Sequence, residues 1–144
     1  MAQRGGSVVS HLRIGEVEGS LVNTGSARFL LSLDESEGYR NLPFLSNRGR
    51  MYVNAASNQE PSEEVRDYLA RKEIVYRSFL AAEIAMERGA PMSTNLALLG
   101  YFSAFEQEPV TNNELRAAIE NFSPDRFRKK NLDIFDAAAL ESGD

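Results

Sequence analysis

Four cations at the start of one predicted helix are the residues whose types and spacing could do chemistry. They lie in TNNELRAAIENFSPDRFRKKNL, residues 111–132, and they are Arg126, Arg128, Lys129 and Lys130. Three of them, Arg126, Lys129 and Lys130, are spaced i, i+3 and i+4 and so project together from a helix. A helix N-terminus is already positive, and cations there are disfavoured by a few tenths of a kcal/mol each. The cluster therefore predicts an anionic partner, and a nucleic-acid backbone is one.

The sequence around this cluster is similar to a helix-turn-helix domain. Within residues 94–136, an apolar helix precedes a helix that starts at Thr111, and a Ser-Pro turn at Ser123 leads into the helix with the four cations. In that motif the last helix lies in the major groove of DNA and the helix before it crosses the backbone. The resemblance implies a small regulatory protein that contacts DNA between Thr111 and Phe135, as a dimer.

A second interpretation treats the same cations as an ordinary surface. Glu114 and Glu120 on the preceding helix could pair with them, and such exposed ion pairs contribute well under about 1 kcal/mol each. The net charge of −5 also repels nucleic acid at long range. All of this excess lies in residues 62–144, which carry ten basic and fifteen acidic residues. The alternative is a protein that binds other protein chains, either as an assembly component of a larger complex or by self-association.

The composition excludes several kinds of active site. Without cysteine the chain offers no thiolate nucleophile, disulfide or Cys-based metal site, and its single histidine, His11, would have to serve any catalytic triad. Glu83 lies in an apolar stretch, where desolvation would suit a carboxyl group to acid–base catalysis, but such a residue is more often at a helix flank. We therefore predict that the protein is not an enzyme and has no cofactor, no metal and no small-molecule substrate.

The location follows from what the sequence lacks. It contains neither a secretory signal nor an apolar run of the roughly 20 residues needed to span a bilayer. The absence of cysteine fits a reducing compartment. We predict a cytoplasmic protein with no membrane partner.

The first part of the chain has the pattern of strands. Apolar residues alternate with polar ones in residues 8–14 and again in ARFLLSLDE, residues 27–35, and a third strand is indicated by RMYVN, residues 50–54. DESEG, residues 34–38, reads as a polar turn. These features predict a small antiparallel sheet with one face to be covered.

The second part has the pattern of helices. Ser62 can cap a long helix that Gly89 and Pro91 end, and Ser93 can cap a second, apolar helix. Thr111 and Glu114 match a capping box for a third helix. The predicted fold is α+β: an N-terminal antiparallel sheet followed by about four α-helices that share one core. We predict one domain over residues 1–144, with a β-rich part at 1–60 and a helical part at 61–144.

Overall fold

A computed structural model describes residues 8–141 and shows a three-stranded parallel sheet with helices on both faces. Two 3-10 turns, Leu42–Phe44 and Pro91–Ser93, complete this part of the chain. In chain order its strands and α-helices are β1 Ala27–Ser32, α1 Glu35–Arg40, β2 Leu45–Asn54, α2 Glu63–Arg71, β3 Val75–Phe79, α3 Ala81–Glu87, α4 Thr94–Phe105, α5 Asn112–Phe122 and α6 Asp125–Leu140.

The prediction of an antiparallel sheet is wrong. β1 pairs with β2, and β2 with β3, in the parallel sense, with Leu31 opposite Tyr52 and Tyr52 opposite Arg77. Parallel neighbours need a crossover connection, and helices α1 and α2 provide the two crossovers. The predicted turn at residues 34–38 is the start of α1, where the Asp34 side chain accepts a hydrogen bond from Glu37 N.

The predicted long helix from Ser62 to Gly89 is also wrong, since it consists of α2, β3 and α3. Ser62 does cap α2, accepting a hydrogen bond from Val65 N, and Gly89 does follow α3 with a φ of +72°. Between them, IVYRSF is rich in β-branched and aromatic residues, which favour a pleated strand. The helical part therefore contributes one of the three strands, and residues 8–141 form six α-helices instead of about four.

The prediction of a strand at residues 8–14 is wrong. Residues 8–26 form neither helix nor strand. His11 fixes part of this segment. Its Nδ1 accepts a hydrogen bond from Val22 N at 2.9 Å, and its ring meets Phe44 edge-on at 5.2 Å. The strands predicted near residues 27–35 and 50–54 are confirmed as β1 and the end of β2.

Two hydrophobic clusters cover the two faces of the sheet. On one face, Met51 and Val53 of β2 pack with Leu69 of α2. On the other face, Tyr52 packs with residues of α3, α4 and α6, including Phe102 and Ile134. Alternate residues of the central strand thus enter opposite clusters, as the period of two requires.

Helices α4 and α6 cross closely at Gly100, on the second face of the sheet. A Cβ atom on Gly100 would lie 2.3 Å from the backbone oxygen of Phe135. α4 is apolar on nearly all sides, and its buried residues include Ala97, Leu98 and Phe102. The prediction that this helix is buried is therefore confirmed.

The capping box at the start of α5 is confirmed. Thr111 Oγ1 accepts a hydrogen bond from Glu114 N at 3.1 Å, and Glu114 Oε1 accepts one from Thr111 N at 3.1 Å. The backbone N–H of Thr111 and then its hydroxyl lower the pKa of the Glu114 carboxyl below its usual 4.5.

This lowered pKa predicts a pH dependence of stability. A carboxyl group with a depressed folded-state pKa stabilises the fold above its unfolded pKa, and that contribution is lost as the pH falls through the folded pKa. Thr111→Ala should raise the pKa of Glu114 only part of the way, since the backbone donor remains. NMR titration of the carboxyl group measures the shift. The stability gap between wild type and variant should shrink as the pH falls below the usual carboxyl pKa of 4.5 and through the lowered folded-state pKa, and a constant gap would contradict the assignment.

Candidate functional site

The carboxyl edge of the sheet is the candidate site, because ligands of open α/β sheets bind outside the carboxyl ends of the strands. The strand order β1-β2-β3 contains no reversal that would mark one position along this edge. All three strands are parallel, so Ser32, Asn54 and Phe79 end at this same edge. The chain continues from β2 into residues 56–60, all of which are exposed. This segment forms the open side of the candidate site.

Asn54, the last residue of the central strand, ties the neighbouring connections together. Its Nδ2 donates to the backbone oxygen of Leu33 after β1, and its Oδ1 accepts from Ala82 N at the start of α3, both at 3.1 Å. Ala55 N also donates to the backbone oxygen of Phe79 at 2.9 Å. The ends of β1, β2 and β3 are therefore held in one arrangement by one side chain and one backbone bond.

Small residues let α1 approach the sheet beside this edge. A Cβ atom on Gly38 would lie 2.6 Å from Met51 Cε and 3.0 Å from Ser32 Oγ. Ser32 is buried, and its hydroxyl donates to the backbone oxygen of Asp34. These polar groups already have partners within the protein. Among residues 8–141, no group of three or more His, Cys, Asp or Glu side chains could hold a metal ion.

We expect Asn54→Ala to loosen this edge and to lower the free energy of unfolding by about 2 kcal/mol, since two hydrogen bonds are lost. Asn54→Asp keeps the acceptor for Ala82 N but places a carboxylate oxygen against the Leu33 carbonyl oxygen, so it should also lower stability while leaving the bond from Ala82 N in place. Urea unfolding gives the free energies, and hydrogen exchange of the Ala82 amide reports the local bond. Equal exchange rates for Ala82 in all three proteins would contradict this role of Asn54.

A second polar cluster joins the sheet to the end of α4. Glu106 follows α4 and is only 3% exposed. Its carboxylate accepts hydrogen bonds from the Tyr52 hydroxyl and from Arg50 Nη1, the latter at 2.6 Å. Burial first, and then the bond to Glu106, raise the pKa of the Tyr52 phenol, while the same carboxylate raises the pKa of Arg50. Tyr52 is therefore a neutral donor to a buried carboxylate.

Aromatic side chains lie beside this polar cluster, and Tyr101 and Phe105 contact the ring of Tyr52. The Arg77 guanidinium lies 3.9 Å from the ring centroid of Phe105, a cation–π geometry. The Tyr101 ring stacks on Phe79 at 4.1 Å, and burial raises the pKa of the Tyr101 phenol. The sequence did not predict the hydrogen bond between Tyr52 and Glu106, because the two residues are distant in the chain.

The four predicted site cations are all on the first two turns of α6, but they do not act alike. Arg128 is structural: it pairs with Asp125 at 2.8 Å and donates to the backbone oxygens of Glu120 and Ser123. Arg126, Lys129 and Lys130 are exposed. The carboxylates of Glu114 and Glu120 do not form ion pairs with them within the described chain. Contact of the four with another molecule stays a prediction.

The surroundings of Glu83 and His11, the two other residues considered as catalytic groups, do not suggest a catalytic role. Glu83 is exposed on the first turn of α3, as expected for a carboxylate at a helix flank. His11 is partly packed against Phe44. No helix in the part of the chain that the structure describes is long and apolar enough to cross a membrane.

Comparison with known proteins gives a consistent result. Residues 1–141 match the pattern of the pyruvate ferredoxin/flavodoxin oxidoreductase family. Indolepyruvate oxidoreductase subunit IorB from Methanothermobacter thermautotrophicus is 32% identical over 94% of this chain and 74% of its own length. The protein of the same name from Thermococcus kodakarensis is 30% identical with the same coverage.

Two solved structures have the same fold. The gamma subunit of keto/oxoacid ferredoxin oxidoreductase from Geobacter sulfurreducens gives a TM-score of 0.63 at 16% identity, covering 80% of this chain and 63% of that subunit. Pyruvate oxidoreductase subunit PORC from Thermotoga maritima gives 0.58 at 20% identity, covering 81% and 64%. The chain thus spans about three quarters of the curated relatives' length and under two thirds of the solved subunits.

These relatives overturn the predicted function. They are subunits of oxidoreductases, so the prediction of a DNA-binding regulator with a helix-turn-helix segment is wrong, and so is the prediction that the protein is not an enzyme. The error arose because capped helices joined by a short turn and a basic helix start are common features that do not require DNA.

Proposed function

Because the chain belongs to the pyruvate ferredoxin/flavodoxin oxidoreductase family, we propose that it is a subunit of an enzyme complex that oxidises indolepyruvate or a closely related oxo acid. The observation that carries this proposal is the 32% identity to an indolepyruvate oxidoreductase subunit over 94% of the chain. The name of that relative describes one subunit of an enzyme. The proposal therefore includes at least one further protein chain as a partner.

The side-chain inventory supports a role that depends on a partner. Oxidation of an oxo acid requires a redox group to receive electrons, and iron–sulfur clusters are held by cysteine thiolates. The 144 residues contain no cysteine, so they supply no such ligand. Any cluster of this kind in the complex would be bound by other residues of the assembly. In the proposed complex, this chain shapes and positions a site and does not ligate the cluster.

The carboxyl edge of the sheet is the part of this chain best suited to that role. Asn54 holds the connections after β1 and β3 in place, and residues 56–60 are exposed beside them. Preorganised backbone at such an edge is where α/β proteins contact ligands. We propose that this edge faces the shared site of the complex.

The test is anaerobic production of the chain together with the other subunit of the indolepyruvate oxidoreductase from the same source. The complex should reduce methyl viologen in the presence of indolepyruvate, and faster than with pyruvate. The other subunit alone is the control and should show little activity. If the complex forms but does not reduce the dye with either indolepyruvate or pyruvate, the proposed function is contradicted. A preference for pyruvate would support the proposed oxidoreductase activity but contradict the proposed substrate.

A further inference from the structure

Residues 11–22 form a loop before β1 whose two ends are joined by a single hydrogen bond. Val22 N donates this bond to His11 Nδ1 at 2.9 Å, and we call it the latch. The His11 ring also packs edge-on against Phe44, at a centroid distance of 5.2 Å. Because Phe44 directly precedes β2, His11 lies near the amino end of that strand, whereas the candidate site is at the carboxyl end.

Few other interactions hold the loop against the rest of the protein. Within residues 8–141, no hydrogen bond joins residues 11–22 to any residue that follows Val22. The large apolar side chains of the loop do not anchor it either, since Leu12 and Leu21 are 78% and 72% exposed. The latch, together with the ring contact to Phe44, is therefore the main restraint on the ends of the loop.

The latch requires a neutral imidazole. A ring nitrogen that accepts a hydrogen bond carries no proton, so neutral His11 has its proton on Nε2. In the imidazolium form both ring nitrogens are donors. The Nδ1–H group would then face the N–H group of Val22, and the bond would be lost. Histidine side chains change between these two forms between about pH 5 and pH 8.

The inner turn of the loop does not depend on pH in this way. Arg13 Nη1 donates to the backbone oxygens of Glu18 and Gly19, at 2.6 and 3.3 Å. An arginine side chain stays charged at these pH values, and backbone oxygens do not titrate. Acid should therefore open the ends of the loop and leave its inner turn in place.

The other charged groups near the latch do not change charge over this range. The loop itself contains Arg13, Glu16 and Glu18, and the residues that flank it, 8–10 and 23–27, have no titratable side chain. The turn that packs against the ring, Leu42–Phe44, has none either. Arg40 and Arg48, on either side of that turn, pair with Glu37 and Glu73. His11 is thus the group of the loop that can respond to pH.

We propose that His11 is a pH-sensitive latch, which closes the loop of residues 11–22 when the imidazole is neutral and opens it when the imidazole is protonated. The opening is local. Gly25 N donates to the backbone oxygen of Pro43 at 2.9 Å, and this bond holds the chain after the loop in place. Segments with few buried apolar contacts are the ones that open locally while the rest of a protein stays folded.

Hydrogen exchange of the Val22 amide tests the proposal, measured by NMR on the full chain from about pH 8 to about pH 5. Protection relative to an unstructured peptide should fall at least about fivefold as the pH is lowered, as expected for loss of one hydrogen bond. Nitrogen chemical shifts of the imidazole record the protonation of His11 in the same samples. The Ala82 amide, which is bonded to Asn54 at the carboxyl edge, is the internal control and should keep its protection.

Two variants separate the acceptor from the ring. His11→Asn supplies an amide oxygen that accepts a hydrogen bond and does not titrate, so the Val22 amide should stay protected over the whole pH range. His11→Phe keeps an aromatic ring beside Phe44 but has no acceptor, so the Val22 amide should be unprotected at every pH. Thermal unfolding of each variant shows whether it is folded.

Each other result overturns the latch. Constant protection of Val22 in the wild type, whether His11 takes up a proton or keeps one form, would mean that the loop does not respond to acid. An equal fall in His11→Asn would assign the response to another group. Full protection in His11→Phe would mean that Val22 N has a different acceptor, and an equal fall at Ala82 would mean general loosening. None of these results affects the proposed oxidoreductase function, on which the latch does not depend.

Discussion

Gly100→Ala is expected to lower the free energy of unfolding by about 3 kcal/mol, the upper range for overpacking a close-packed core. Alanine in place of glycine inside a helix normally stabilises by about 1 kcal/mol, so helix propensity alone predicts the opposite sign. The added Cβ would lie 2.3 Å from the backbone oxygen of Phe135 and 3.2 Å from its Cα. Since that neighbour is the backbone of α6, it cannot rotate away. α4 and α6 would have to separate.

Gly25→Ala is the matched control. A Cβ on Gly25 meets nothing within 4 Å, but its φ of +75° is unfavourable for alanine. Its effect should be about 1 kcal/mol, the cost of a left-handed backbone alone. Urea unfolding measures both variants. A Gly100→Ala protein as stable as wild type would show that the two helices do not approach as closely as described.

Glu106→Ala should be the second most damaging change, with a loss of about 2–3 kcal/mol in unfolding free energy. The buried Tyr52 hydroxyl would lose its acceptor, and an unsatisfied buried donor costs about 1–3 kcal/mol. Arg50 would lose its ion pair, but its side chain is 44% exposed and can be rehydrated. The loss should therefore stay below the roughly 3–5 kcal/mol seen when a fully buried pair is broken.

Tyr52→Phe tests which bond matters. It removes the donor, leaves Arg50 to neutralise Glu106, and should cost about 1 kcal/mol. In a double-mutant cycle, the two changes should be non-additive, because both remove the same hydrogen bond. Additive effects would mean that the Tyr52 hydroxyl and the Glu106 carboxylate do not interact in solution.

The helix caps were predictable from the sequence, but the pairing of the strands in the sheet was not. The caps at Ser62 and Thr111 were found because each is determined by residues within one helical turn. β3 was missed because a short apolar run fits either a buried helix or a strand. The parallel sense of the sheet depends on the crossover helices, so an error in α1 became an error in fold class.

The candidate site was harder to predict for the same reason. Asn54 ends a predicted strand, but its role at the carboxyl edge follows only once the sheet is known to be parallel. Glu106 contacts Arg50 and Tyr52, more than 50 residues away in the chain. No short motif encodes such contacts. The role predicted for the cations of α6 stays a prediction, since their spacing does not specify a partner.

The strand order of the sheet, which follows the chain order, has a consequence for synthesis on the ribosome. Once the chain has emerged as far as Phe79, all three strands are present, and α1 and α2 can already cover one face. Phe29, Tyr52 and Phe79 on the other face await α4 and α6, which are translated later. Chains are synthesised at about 5–20 residues per second, and domains can begin to fold as they emerge. We therefore expect the nascent chain to expose one aromatic face for several seconds before α4 and α6 cover it.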